Sequence, residues 1–231
     1  RELSAVWHDR AAGEAALVSL ARLSQGGVAL PGVASGEQPE LPGGTPGAPA
    51  VRVHGLCFSH AGEAAFFDRY ELRVAAGEHV ALMGPSGSGK TALLSLIAGL
   101  VPAQRGEILI GGVPLSDATA AALRARMAWM GQKPHVFAGS VQANVALGRA
   151  GVQTAQVEAA MRFAALAGVA QARCGVALGE GGGGLSGGEA VRLALARVAV
   201  HPEADLLLVD EPTAHLDSET AERVVDALMQ L

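Results

Sequence analysis

The 231 residues are 50% hydrophobic, with a mean hydropathy of +0.31 and a formal charge of -5, a balance that suits one globular α/β domain with an appendage and excludes disorder throughout. Seventeen Lys and Arg against 22 Asp and Glu leave no basic stripe for displacing counterions from a nucleic acid. The longest apolar stretches, such as Ala92 to Pro102, are broken by Ser95 and Gly99 and fall short of the roughly 18 residues that read as a membrane span.

From Arg1 to about Leu23, Leu3, Val6, Trp7, Leu17, Leu20 and Ala21 recur at three- and four-residue steps without proline, which predicts a helix weakened at Gly13. Residues 24–50 turn to Gly, Pro, Ala and Ser, with Pro31, Pro39, Pro42, Pro46 and Pro49; such a stretch cannot keep helical or ladder hydrogen bonds and reads as a linker. Beyond it, Val51 to Phe58, Tyr70 to Val74, His79 to Met83 and Glu107 to Ile110 read as strands, and Leu206 to Val209 as a buried one, since four consecutive apolar residues leave no face for solvent. Helices are expected at Lys90–Ala98, Ala118–Arg126, Thr154–Ala167, Gly187–Val200 and from Ser218 onward. The alternation predicts an α/β domain with a mainly parallel sheet, the early strands being free to pair antiparallel. Cys57 and Cys174 lie far apart and match no metal or disulfide framework, so free thiols in a reducing compartment are expected. No tripartite leader opens the sequence, and Arg1 in place of Met predicts a piece of a longer polypeptide.

The segment GPSGSGKT (Gly84, Pro85, Ser86, Gly87, Ser88, Gly89, Lys90, Thr91) sits between an apolar run and a helical one, the context of a phosphate-binding P-loop. Its glycines let the backbone turn without side-chain clashes, aiming N–H groups and a helix N-terminus at anionic oxygens. Lys90 adds a positive charge near terminal phosphates, and the Thr91 hydroxyl can hold a magnesium ion bridging two of them. The plain alternative is a Gly/Ser turn that opens a helix. Asp210 and Glu211 follow the buried Leu206–Val209 run, at the strand end where ligands of open α/β sheets collect. There Asp210 would orient the magnesium shell, and Glu211 would polarise the water attacking a γ-phosphate; capping of the turn before Pro212 is the structural alternative.

LSGGE, Leu185 to Glu189, opens the helix that carries Arg192 and Arg197. Taken together, GPSGSGKT, Gln132, LSGGE, LLLVDE and the AHLD of Ala214 to Asp217 resemble the ATP-binding domain of ABC transporters over about Val51 to Leu231. The resemblance implies a P-loop ATPase fold with antiparallel N-terminal strands and a helical insertion. It also implies that Mg²⁺-ATP is bound and hydrolysed between two such domains, with Ser186, Gly187, Gly188 and Glu189 facing the γ-phosphate held by the partner domain's P-loop. Glu189 stands where many relatives carry Gln. In the family an aromatic residue after the first strand stacks on adenine; here the run LCFSH ends in His60, whose imidazole stacks less extensively than a phenol or serves only as a polar turn residue. Gln132 would sense magnesium and act in catalysis beside Lys90 and Glu211, with Thr91, Gln132 and Asp210 as the metal site.

The run QKPHVFAGSVQANV, with Phe137 and Gly139, resembles the exporter class, where this loop touches the membrane domain. Asp217 would lie where the two nucleotide sites communicate, a role compatible with capping the last helix. Residues 1–23 resemble the cytoplasmic continuation of a last transmembrane helix, which implies a membrane domain upstream on the same chain and a place at the cytoplasmic face of a bacterial plasma membrane. Their wording is similar to the CydD-type subunits of cysteine and glutathione exporters. The sequence stops before the family's γ-phosphate-contacting histidine, and His215 is wrongly placed for that role. The same missing segment would supply a central strand, so 51–231 is expected to be incomplete at its C-terminus, with a gap in its sheet. The alternatives are a soluble ABC-fold ATPase and a degenerate module that binds ATP without hydrolysing it.

Overall fold

The computed structural model describes residues 48, 50–59, 66–149, 151–174, 176–179, 181, 184–201, 203–214 and 216–231, all within the unit Pro39–Leu231. The expected helix and linker of the first fifty residues therefore lie outside the described residues but for Ala48 and Ala50, as do His60 and His215.

Four strands, β1 (Val51–Phe58), β2 (Phe67–Val74), β3 (Arg105–Ile110) and β4 (Val113–Pro114), form an antiparallel sheet in the order β2-β1-β3-β4. The expectation of antiparallel early strands holds. In β1, Val51 and Val53 are buried while Arg52 and His54 are exposed, the period-two pattern of a sheet with one wet face. Helix α1 (Lys90–Ile97) lays Leu93, Leu94, Leu96 and Ile97 into the core beneath that sheet. It ends in a Schellman turn: Gly99 N–H donates to the Leu96 carbonyl at 3.0 Å and Leu100 N–H to Ser95 at 2.9 Å.

The parallel portion consists of β5 (Met127–Met130) and β6 (Leu206–Val209), paired Met127 to Leu206 through Met130 to Val209. Around it lie α2 (Ala120–Ala125), α3 (Val141–Ala146), α4 (Thr154–Phe163), α5 (Ala167–Ala172), α6 (Gly187–Ala199) and α7 (Ser218–Leu228). The long helix α6 serves two cores. Leu193, Leu195 and Ala196 pack with α3, α4 and α5, whereas Val191, Ala194 and Val198 pack on Ala128 and Met130 of β5.

Two readings are corrected. The run His79 to Met83 is not a strand: β5 and β6 form a two-stranded sheet, and no described ladder reaches 79–83. Val80 is 44% exposed and Met83 89%, so the apolar pattern is there without a neighbouring strand to cover it or complete its hydrogen bonds. The single helix expected at Thr154–Ala167 is two, α4 and α5, separated by Ala165 in a left-handed conformation (φ 50) and by the fully buried Leu166. Beyond these, β4, β5 and α3 are additional elements that the periodicity did not announce.

Candidate functional site: a phosphate loop joined to a strand-end carboxylate

The loop before α1 is an exposed turn in which Ser88 N–H donates to the Pro85 carbonyl at 3.2 Å. Gly89 caps α1 with φ 89, a conformation costly for any residue with a Cβ. It is also covered: a Cβ there would lie 3.1 Å from Phe67 Cζ and 3.2 Å from Phe66 Cδ1. Lys90 curls back across the loop, its Nζ donating to the Gly84 carbonyl at 3.0 Å and the Pro85 carbonyl at 2.9 Å. Neutral carbonyls hold that ammonium without cancelling its charge, which stays available to an anion seated on the loop.

The acidic pair is placed by strand register. The ladder of β5 and β6 is extended by Asp210 N–H, which donates to the Met130 carbonyl at 2.8 Å. Continuing it, Gln132 Nε2 donates to Glu211 Oε2 at 2.6 Å, with the same separation of 79 residues as the Arg126–Asp205 ion pair at the other end of these strands. One register thus sets both ends. Asp210 is 6% exposed and accepts from Thr91 Oγ1 at 2.8 Å across 119 residues. Glu211 is exposed and adopts φ 46 directly before Pro212. That left-handed backbone costs a non-glycine residue on the order of 1–3 kcal/mol, and such strain clusters at functional sites.

The signature segment is built as a capping box. Glu189 N–H donates to Ser186 Oγ at 3.3 Å, and Ser186 N–H to Glu189 Oε2 at 2.7 Å. The second of these bonds is the main reason the Glu189 carboxyl sits below its ordinary pKa. A Cβ on Gly188 would lie 3.8 Å from Thr220 Cγ2 and 4.0 Å from Leu216 Cδ2, so the start of α6 adjoins the start of α7. There Asp217 accepts from Thr220 N–H at 2.9 Å and from Thr220 Oγ1 at 2.8 Å. The backbone bond first, then the hydroxyl, lowers the Asp217 pKa.

Thus Gly84, Pro85, Lys90, Thr91, Gln132, Asp210 and Glu211 are linked in pairs around one strand end. Ser86, Gly87 and Ser88 lie in the same exposed loop, while Ser186 to Glu189 and Asp217 bond within their own helix starts. Sequence reasoning missed Phe66 and Phe67, the lid on Gly89; the adjacent Phe pair after the 60–65 stretch was the available signal. It also missed Gln104, whose side chain brackets Ser59, accepting from its N–H at 3.0 Å and donating to its carbonyl at 2.8 Å. Among the described residues no helix is long and apolar enough to cross a membrane.

A glycine turn carrying Lys90, opening a helix and tied through Thr91 to a carboxylate at the end of a parallel strand, defines a P-loop nucleoside triphosphatase domain. A family model described as ABC transporter matches residues 67–214, and the chain belongs to that family as an ATP-binding ATPase domain of exporter type. It is 44% identical over 174 residues to the ATP-dependent lipid A-core flippase of Burkholderia orbicola (strain AU 1054), covering 74% of this chain and 29% of that protein. It is 37% identical over 201 residues to the mycobactin import ATP-binding/permease protein IrtB of Mycolicibacterium thermoresistibile, covering 83% and 34%. To the glutathione/L-cysteine transport system ATP-binding/permease protein CydC of Escherichia coli (strain K12) it is 37% identical over 161 residues, covering 69% and 28%. Among solved structures, a bacterial Atm1-family ABC exporter with ATP bound matches with a TM-score of 0.73 and 32% identity, over 84% of this chain and 34% of that one. The chain spans about a third of the length of these relatives. The flippase exceeds CydC in identity, so these likenesses reach the exporter type and do not single out the CydD-type branch.

Proposed function

We propose that this chain is the ATP-hydrolysing part of an exporter, coupling binding and hydrolysis of Mg²⁺-ATP to transport through a membrane domain on the same longer polypeptide, at the cytoplasmic face of a bacterial plasma membrane. The observation that carries the reading is the bond between Thr91 Oγ1 and Asp210 Oδ2, which joins the phosphate loop to the catalytic strand end. The donor set fits magnesium. Thr91 and Asp210 offer hard oxygen ligands, and the described residues contain no group of three or more His, Cys, Asp or Glu suited to a metal cage, leaving phosphate oxygens and water to complete the shell. By donating its proton to Asp210, the Thr91 hydroxyl keeps its lone pairs for the cation. When bound, the metal would neutralise developing phosphate charge.

The chain's own groups do the rest. Loop N–H groups and Lys90 bind the triphosphate, and Glu211 accepts the proton of the attacking water while Gln132 fixes the carboxylate's direction. The loop at Gly84 to Ser88 lies open to solvent, which suits a site closed by the signature segment of a second ABC domain. Ser186, Gly187 and Gly188 would act across that interface, in a homo- or heterodimer. A CydD-like role in thiol export is a narrower second reading, favoured by the similarity to CydC; export of cysteine or glutathione into vesicles by the complete transporter tests it. For the main reading, Lys90→Ala should abolish ATP binding measured by calorimetry, and Glu211→Gln should keep binding while lowering turnover by about 10²-fold or more. Undiminished ATP affinity in Lys90→Ala overturns the assignment.

A further inference from the structure

Gln132 is exposed, yet its amide must be held against Glu211, and the anchors on its two sides differ in kind. Upstream, the strand ladder fixes Met130 through Asp210 N–H. Downstream, the chain leaves the sheet and is held by a polar cluster shared between α6 and α3. Arg197, 9% exposed, donates from Nε to the Asn144 carbonyl at 2.8 Å, from Nη2 to Asn144 Oδ1 at 2.8 Å, and from Nη1 to the His135 carbonyl. Asn144, 2% exposed, passes this grip along the loop. Its Oδ1 also accepts from Phe137 N–H at 2.9 Å, and its Nδ2 donates to the Phe137 and Ser140 carbonyls at 2.9 and 3.0 Å. Every donor and acceptor of that amide is used, which fixes its orientation: a flipped amide would turn its NH₂ group toward the guanidinium.

The arrangement is expensive if its purpose is stability. None of these partners of Arg197 is a carboxylate. Burial, and secondarily the charge of Arg149, push its pKa down to about 10. Arg149 itself donates to the Arg197 carbonyl at 2.9 Å, placing a second cation beside the first. A well-packed apolar residue would spare the desolvation of a charge. What the guanidinium supplies instead is a rigid fork reaching the backbone at positions 135 and 144 at once, with the Phe137 ring 5.7 Å beneath it.

We infer that Arg197 is a positioning residue for hydrolysis: with Asn144 it fixes the 135–140 loop to the signature helix α6 and thereby holds Gln132 against Glu211. This rests on the roles given above to Gln132 and Glu211. The described bonds of the phosphate loop run to its own carbonyls and, through Thr91, to Asp210, so the effect should fall on turnover and leave nucleotide affinity alone.

The test measures ATPase kinetics and amide hydrogen exchange in the full chain as wild type, Arg197→Met and Arg197→Lys. Arg197→Met should lower kcat by about 10- to 10²-fold, the scale of a misplaced catalytic group, with KM for ATP within about twofold and faster exchange at the Phe137 amide. Arg197→Lys keeps the charge but offers a single nitrogen to acceptors spread over two residues, so it should show the same signature and serves if the Met variant does not fold. Wild-type kcat in either folded variant, even one with a lowered melting temperature, assigns Arg197 to stability alone and overturns the inference. So does a kcat loss without faster Phe137 exchange. A complete wild-type transporter that binds ATP but never hydrolyses it would instead sink the roles of Gln132 and Glu211.

Discussion

Replacing Thr91 by Val keeps the shape of the side chain and removes its hydroxyl. In the wild type that hydroxyl gives Asp210 a 2.8 Å hydrogen bond inside a residue only 6% exposed, so the carboxylate oxygen left behind has little water to replace it. A hydrogen bond to a charged group contributes about 1.5–3 kcal/mol. In a domain of this size each kcal/mol moves the melting temperature by about 2–4 °C, so nucleotide-free Thr91→Val should melt roughly 3–12 °C lower. If the same hydroxyl also ligates magnesium, losing a contact of that strength raises the magnesium needed for half-maximal ATPase activity by about 10- to 10²-fold, at 1.4 kcal/mol per factor of ten. The assay is a magnesium titration of ATPase rate at fixed ATP, paired with a thermal melt without nucleotide. Unchanged magnesium dependence in Thr91→Val would refute the placement of the metal, and an unchanged melt would refute the structural importance of the Thr91–Asp210 bond.

Gly89→Ala should cost ATP affinity, because the new Cβ meets φ 89 and the Phe66 and Phe67 rings at 3.1–3.2 Å; strain of roughly 1–3 kcal/mol corresponds to a rise in Kd of about 5- to 150-fold by calorimetry. Glu189 has a carboxyl held below its ordinary value by Ser186 N–H, so its contribution is fully present above the unfolded-state pKa near 4.5 and is lost as pH falls through the lower folded value. Ser186→Ala removes the hydroxyl half of the box, and acid unfolding followed by circular dichroism should then begin at higher pH.

Much of this architecture was legible because its signals are local. The alternation in Val51–Phe58 marked β1, the apolar run marked β6, the LSGGE run marked the opening of α6, and Asp217 as a capping residue marked the start of α7. The phosphate loop and acidic pair were readable as types and spacing, but their meeting through Thr91 and Asp210 is a contact across 119 residues, which periodicity cannot show. His79 to Met83 failed for a related reason: apolar composition reads the same whether or not a neighbouring strand is present. The break between α4 and α5 carries no Gly or Pro, only an alanine at positive φ. α3 is six residues long, too short for a helical period to declare itself. Arg197 carries no local signal in the sequence, because its partners lie 53 and 62 residues away.

The central proposition is that the glycine turn before Lys90 and the carboxylates after Val209 serve one bound triphosphate. Manganese tests it most directly, since it accepts the oxygen ligands that magnesium uses and broadens NMR signals only of nearby nuclei. Added with ATP, it should erase the amide signals of Thr91 and Asp210 together, and Lys90→Ala should restore both. Loss of one signal while the other stays sharp would contradict the account.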